Sequence, residues 1–242
     1  MSETNAWGKV LKSSMNLPIV RVNREAFLKK ELAPYYSEER IDSIINGGIM
    51  FSIDKKTLDR LVKGCINFHT TAVCSVSALA GIPGGWALAG TIPADIAQFY
   101  GHVLSLAQKI LYLYGYPDLH DDNNNLSDDA ANVLTICVGL MMGCQAAEVG
   151  LKNLLEMLSK GVAEKLAKQA LTKTAIYQFA KTVAAWLGVK LTKDGFIKIV
   201  AKSIPLVGAP ISASVTYFTF KPMAKKLKDF MNQQYEFRAQ VS

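Results

Sequence analysis

From Gly64 to Gln108, a run of 45 residues, the sequence carries one charged side chain, Asp95. Everything around it is Ala, Gly, Ile, Leu, Val, small hydroxyls and a few aromatics. A helix that loses its polar face must be surrounded by protein or by lipid, so this run has to lie inside something. Four glycines (Gly81, Gly84, Gly85, Gly90) and two Ile-Pro steps break it at Gly81-Ile-Pro-Gly-Gly-Trp-Ala-Leu-Ala-Gly-Thr-Ile-Pro-Ala-Asp95. Glycine permits close backbone approach, and proline removes a helical donor. The stretch therefore reads as two apolar helical segments joined at a tightly packed corner. Uninterrupted, the run would suffice to span a bilayer, which needs about 20 apolar residues; the break leaves two shorter pieces, as in a buried helical hairpin.

Asp95 has two readings. It is either the polar anchor of an apolar ligand cavity or membrane-proximal cleft, or a first-turn residue of the helix that follows, satisfied by the dipole and the free N–H groups. The corner itself, with Gly81, Pro83, Gly84, Gly85, Trp86, Gly90 and Pro93, forms with Asp95 the candidate membrane or ligand site.

The remaining chain predicts helices. Ala6 to Met15 presents Trp7, Val10, Leu11 and Met15 on one side and stops before Pro18. Asn23 is the expected N-cap of a second helix, with Val22 and Phe27 as its hydrophobic staple and Pro34 as its stop. A third starts at Ser37, carries Glu38 and Glu39 in its first turn and presents Ile41, Ile44 and Ile45. From Thr57 a longer one shows Leu58, Leu61, Val62, Cys65 and Phe68 at helical spacing. Tyr116 to Asn125 reads as an exposed polar loop. Ser127 then caps a helix whose uncharged part runs from Ala130 to Ala147. Leu151, Leu154, Leu155, Leu158 and Val162 make an apolar stripe, with Lys160, Glu164 and Lys168 on another face. Further helices are expected over Thr172–Leu187, ending at Gly188, and over Lys193–Ser203. Lys221, Lys225 and Lys228 line one face of a C-terminal helix whose other face carries Met223, Leu227, Phe230 and Met231.

No period-two alternation with hairpin turns occurs. The expected fold is all-α: a single multi-helix domain with an apolar Gly/Ala-rich helical core and amphipathic outer helices. Residues 1–20 form an N-terminal amphipathic segment and 21–242 the helical domain.

Charge is unevenly spread. Residues 1–63 hold 11 basic and 8 acidic side chains (+3), 64–150 hold 1 and 7 (−6), and 151–242 hold 15 and 5 (+10). The basic C-terminal third is either a solvated face or an attraction to anionic lipid; Lys221, Lys225 and Lys228 are the candidate anionic-lipid contacts, and no specific nucleic-acid binding is expected. Cys65, Cys74, Cys137 and Cys144 all sit in apolar helical runs, where thiols behave as small buried hydrophobes. No apolar leader opens the sequence, so a cytoplasmic location is expected, at the inner face of the cell membrane where the protein binds lipid.

Candidate chemistry is sparse. GIPGGWALAG lacks both the terminal Gly-Lys-Ser/Thr of a phosphate loop and the preceding strand of a dinucleotide fingerprint. Cys65 and His69 lie one helical turn apart, as metal ligands on a helix do, with Cys74, His102, Cys137 and Cys144 as distant partners, but no paired-ligand motif supports them and buried structural roles are expected. Asp118, His120, Asp122 and Asp129 lack the central glycine and closing glutamate of a calcium loop. No catalytic, cofactor-binding or metal residues are assigned, and no enzyme is expected.

The segment from Ile82 to Gly115, with its PGG corner, its PADIAQFYGHVLSLAQKI run and its closing YLYG, resembles the EcsC protein family of bacteria. FLKKEL at Phe27–Leu32 and IPLVGAP at Ile204–Pro210 extend the resemblance over most of the chain. The founding member of that family is encoded beside an ABC transporter. The resemblance thus implies a non-enzymatic, membrane-linked protein, peripheral or partly inserted and associated with transporter function, whose partners are membrane lipids. Two alternatives stand beside it: a soluble helical protein enclosing a lipid-like apolar ligand, and a membrane-perturbing effector.

Overall fold

In the computed structural model, residues 5–46, 53–80, 94–120, 126–159, 175–191 and 211–239 are described. Among them the chain is all-helical, as expected, and its only extended pairing is an isolated bridge between His120 and Leu126. The helices are α1 (Ala6–Met15), α2 (Arg24–Leu32), α3 (Glu38–Asn46), α4 (Lys55–Ala80), α5 (Ala94–Leu113), α6 (Asp128–Met142), α7 (Gln145–Ser159), α8 (Ala175–Lys190) and α9 (Ile211–Ala239), with a 3₁₀ turn at Pro18–Val20. Among the described residues no helix is long and apolar enough to cross a membrane.

The low charge of α5 is explained by where it goes. In α5 every residue from Tyr100 to Gln108 is buried, and so is Ile110–Tyr114. Helices α1, α2, α4, α6 and α9 and the 3₁₀ turn all pack on it. Helix α6 is the second such element, buried from Asn132 to Met141 and covered by α5, α7, α8 and α9. A helix enclosed on all sides has no use for a charged face. The outer helices keep theirs, with Trp7, Val10 and Leu11 of α1 buried, as are Ile41 and Ile44 of α3. The N-terminal segment is thus built into the core through Trp7, whose Nε1–H donates to Thr135 Oγ1 of α6 at 3.1 Å.

Local signals decide the ends. Asn23 caps α2, its side chain accepting from Ala26 N at 2.8 Å, and Ser127 caps α6, accepting from Ala130 N at 3.1 Å. Two caps were not predicted: Asn5 accepts from Gly8 N at 2.7 Å, and Asp54 accepts from Thr57 N at 2.9 Å, so α4 begins at Lys55. Both central helices end on a glycine with positive φ, Gly115 (82°) and Gly143 (89°). In each, the next residue's N–H reaches back to a carbonyl five residues earlier, Tyr116 N to Leu111 O at 2.9 Å and Cys144 N to Gly139 O at 2.8 Å, the Schellman arrangement that glycine permits.

Four expectations are corrected. The uncharged stretch Ala130–Ala147 is not one helix, because Gly143 turns the chain and α7 starts at Gln145. Phe68 does not belong to the buried face of α4: it is 58% exposed, while His69 is 0% exposed. The segment after Gly115 is not an exposed loop in its first half, since Tyr116, Leu119 and His120 are buried. Gly188 does not end its helix, which continues to Lys190.

Close packing of α6 and α7 against α8 relies on missing side chains. A Cβ on Gly139 would stand 2.3 Å from Val183 Cγ1 of α8, and one on Gly150 of α7 2.9 Å from Phe179 Cβ. Cys65, Cys137 and Cys144 are buried free thiols and Cys74 is half-buried, and burial pushes the Cys65 and Cys137 thiols up to about 12. They are inert hydrophobes, as the sequence indicated.

Candidate functional site

The residues singled out in the sequence fall in three places. Gly81, Pro83, Gly84, Gly85, Trp86, Gly90 and Pro93 lie outside the described residues. Asp95 is the second residue of α5, so its backbone is in the first turn of that helix. Lys221, Lys225 and Lys228 belong to α9, whose opposite face buries Phe220, Met223, Leu227, Phe230 and Met231 against the core.

Lys221 and Lys225 are exposed and Lys228 is half-buried. The Lys221 ammonium donates to the Tyr217 hydroxyl one turn earlier and lies 4.7 Å above that ring's centre. Lys225 pairs with Asp229 at 2.5 Å. Beside Tyr217, Phe218 is also exposed. The outer face of α9 therefore joins exposed aromatic rings to ammonium groups along successive turns.

A second constellation was missed as a unit. His69 of α4 and His102 of α5 meet at the contact between these helices, Nδ1 to Nδ1 at 3.1 Å, with the rings edge to face. The outer nitrogen of His69, Nε2, is 3.0 Å from Nζ of Lys109, one further pair of turns along α5. The ammonium is flanked by the rings of Phe68 at 5.1 Å and Phe27 of α2 at 5.8 Å. No carboxylate lies within ion-pair distance of Lys109 among the described residues. Burial lowers its pKa, with the positive Lys30 adding to that, against opposing effects of Cys65 and Glu31. His69 is depressed to about 3, first by burial and then by the Lys109 and His102 charges; His102 is depressed by burial and by Lys109. Both imidazoles are neutral at pH 7, and only two proton arrangements satisfy both contacts. Either Lys109 donates to His69 Nε2 and His69 Nδ1–H donates to His102, or a neutral Lys109 amine accepts from His69 Nε2–H and His102 Nδ1–H donates to His69.

A third polar group closes the far end of α5. Asp118 Oδ1 accepts from the backbone N of His120 at 3.0 Å and from the Tyr112 hydroxyl at 3.2 Å, and lies 3.1 Å from His120 Nδ1. This leaves Nε2 of buried His120 without a partner among the described residues. The arrangement holds the segment after Gly115 against α5, and Arg24 adds to it by donating to Tyr116 O at 2.9 Å and to Ile45 O at 3.1 Å.

Among the described residues no group of three or more His, Cys, Asp or Glu side chains is placed to hold a metal ion. Cys65 and His69 share a face of α4, but His69 is engaged by Lys109 and His102. The signal for the His69–His102–Lys109 unit was faint: Lys109 is the first charge after Asp95, and His102 stands seven residues before it, on the same face of one helix. Its link to His69 depends on the packing of α4 on α5, which no local pattern reports. No protein-family model, no curated protein and no solved structure matches this chain.

Proposed function

We propose that this chain is a non-enzymatic, EcsC-like protein that associates peripherally with the anionic cytoplasmic face of a membrane, in support of a transporter. The observation that carries the reading is the outer face of α9, where exposed Tyr217 and Phe218 precede exposed Lys221 and Lys225. Aromatic rings settle at the headgroup level, and lysines near an anionic surface each contribute about 1 kcal/mol. The Lys-rich C-terminal third of the sequence supports the same orientation, and the motif resemblance supplies the transporter link.

The test is sedimentation with phosphatidylglycerol and with phosphatidylcholine vesicles at low and high salt. Binding to the anionic vesicles alone, lost at high salt, is expected. Lys221→Gln, Lys225→Gln and Lys228→Gln together weaken it by about tenfold or more, with the smallest share from Lys225, whose charge Asp229 already counters. Wild-type protein that ignores anionic vesicles at low salt would sink the proposal.

A further inference from the structure

Lys109 is an unusual lysine in this chain. Among the described residues its amine meets no carboxylate at ion-pair distance, two phenyl rings wall it, and its one hydrogen-bonding neighbour is a fully buried imidazole. An ammonium there lacks the anion that would hold it charged, and a desolvated lysine amine is a nucleophile. The neighbouring imidazole has a second imidazole behind it, so the proton has somewhere to go.

We propose that Lys109 is the nucleophile of a carbonyl-capture site, in which its amine condenses with an aldehyde or ketone bearing apolar substituents, using the His69–His102 pair as a proton relay. The relay follows from the 3.0 Å and 3.1 Å contacts. Nζ gives a proton to His69 Nε2, His69 passes its Nδ1 proton to His102 Nδ1, and His102 releases the proton on Nε2. Both imidazoles end neutral, in their other tautomers, and Lys109 ends as a free amine. The Nζ lone pair then forms a C–N bond to the carbonyl carbon while the C=O π pair moves onto oxygen. Proton transfer gives a carbinolamine, and its hydroxyl leaves as water on taking back the proton lent to the relay. An ammonium and a carbonyl thus become an iminium and one water, with no oxidant or reductant. Phe27 and Phe68 supply the apolar walls, and Phe68, 58% exposed, forms the outer one. Capture is stoichiometric and needs no turnover, so it stands whether or not α9 binds membranes.

The experiment uses the full chain with hexanal and sodium cyanoborohydride, which reduces the iminium to a stable secondary amine, followed by peptide mass mapping over time. At pH 7, Lys109 is expected to be alkylated several-fold faster than exposed Lys221 and Lys225, since burial beside a neutral imidazole favours its free amine. Its rate should level off below the pH at which an ordinary lysine amine deprotonates. The charged and titratable groups around it are Lys30 and Glu31 of α2, Cys65 and His69 of α4, and His102 of α5; Glu31→Gln, which removes a negative charge, should move that plateau lower still. His102→Asn should slow Lys109 several-fold without slowing Lys221. Labelling of wild-type Lys109 no faster than of Lys221 overturns the site, and an unchanged rate in folded His102→Asn overturns the relay.

Discussion

Nδ1 of His69 and Nδ1 of His102 stand 3.1 Å apart at the contact between α4 and α5, both shielded from water. One must donate and the other accept, so the two rings cannot both be protonated while the helices stay together. The folded pKa of His69 is about 3, below the ordinary 6.5. The unfolded chain therefore binds more protons than the native one between these values, and stability falls as pH drops from about 6.5 towards 3. Replacing His69 with Gln should flatten that part of a melting-temperature profile. A variant that keeps the full acid sensitivity of the wild type would place its origin elsewhere, for instance at His102, which burial and the Lys109 charge also hold below the ordinary value.

The α6–α8 contact at Gly139 is expected to refuse a methyl group. Val183 Cγ1 would lie 2.3 Å from it, and a β-branched side chain in a helix has little rotamer freedom to retreat. Gly139→Ala should cost about 1–3 kcal/mol in denaturant unfolding despite its better helix propensity. Adding Val183→Ala should recover part of the loss; additive effects of the two changes would show that they do not touch.

Trp7 ties the N-terminal segment to α6 through the Thr135 hydroxyl. Thr135→Val preserves shape but leaves a buried indole N–H without its acceptor, costing about 1–3 kcal/mol. Thr135→Ser keeps the acceptor and should cost less. Equal losses in calorimetry would mean that packing of the methyl, not the hydrogen bond, matters at this position.

Asp95 occupies the second position of α5, where the positive end of a helix favours a carboxylate by about 0.3–1 kcal/mol. Asp95→Asn should lower stability by no more than that and leave vesicle binding unchanged, whereas Asp95→Lys should destabilise further. A stable Asp95→Asn protein that no longer sediments with anionic vesicles would instead make this carboxylate a functional anchor.

How far the sequence could be read depended on the range of the signal. Among the described residues, helix existence, the Asn23 and Ser127 caps and the inner face of α9 follow from spacings of three and four residues, and the structure has them where the pattern puts them; the helix expected over Lys193–Ser203, and Val162, Lys160, Glu164 and Lys168, lie outside those residues. The Phe68 assignment failed because the pattern ranks residues by apolarity and sent the phenyl ring inward, whereas His69 is buried, as expected of it. What the pattern could not show is Lys109, forty residues from His69, whose ammonium lies 3.0 Å from that buried imidazole and 5.1 Å from the centre of the exposed Phe68 ring. Gly143 was misread for a different reason. A glycine inside a small-residue run suits close helix contact as well as it suits a helix end, and only its φ of 89° decides between them.

That glycine sets a length scale for the whole molecule. Helix α6 has 15 residues and α7 another 15, each about 22 Å long at 1.5 Å per residue. Joined in line they would form a rod longer than the about 30 Å of bilayer hydrocarbon. Folded back at one left-handed residue, they pack against each other instead, and the apolar length that α6 carries is used up inside the bundle. A change at Gly143 to a β-branched residue, which resists positive φ, would act on the reach of the chain more than on any single contact.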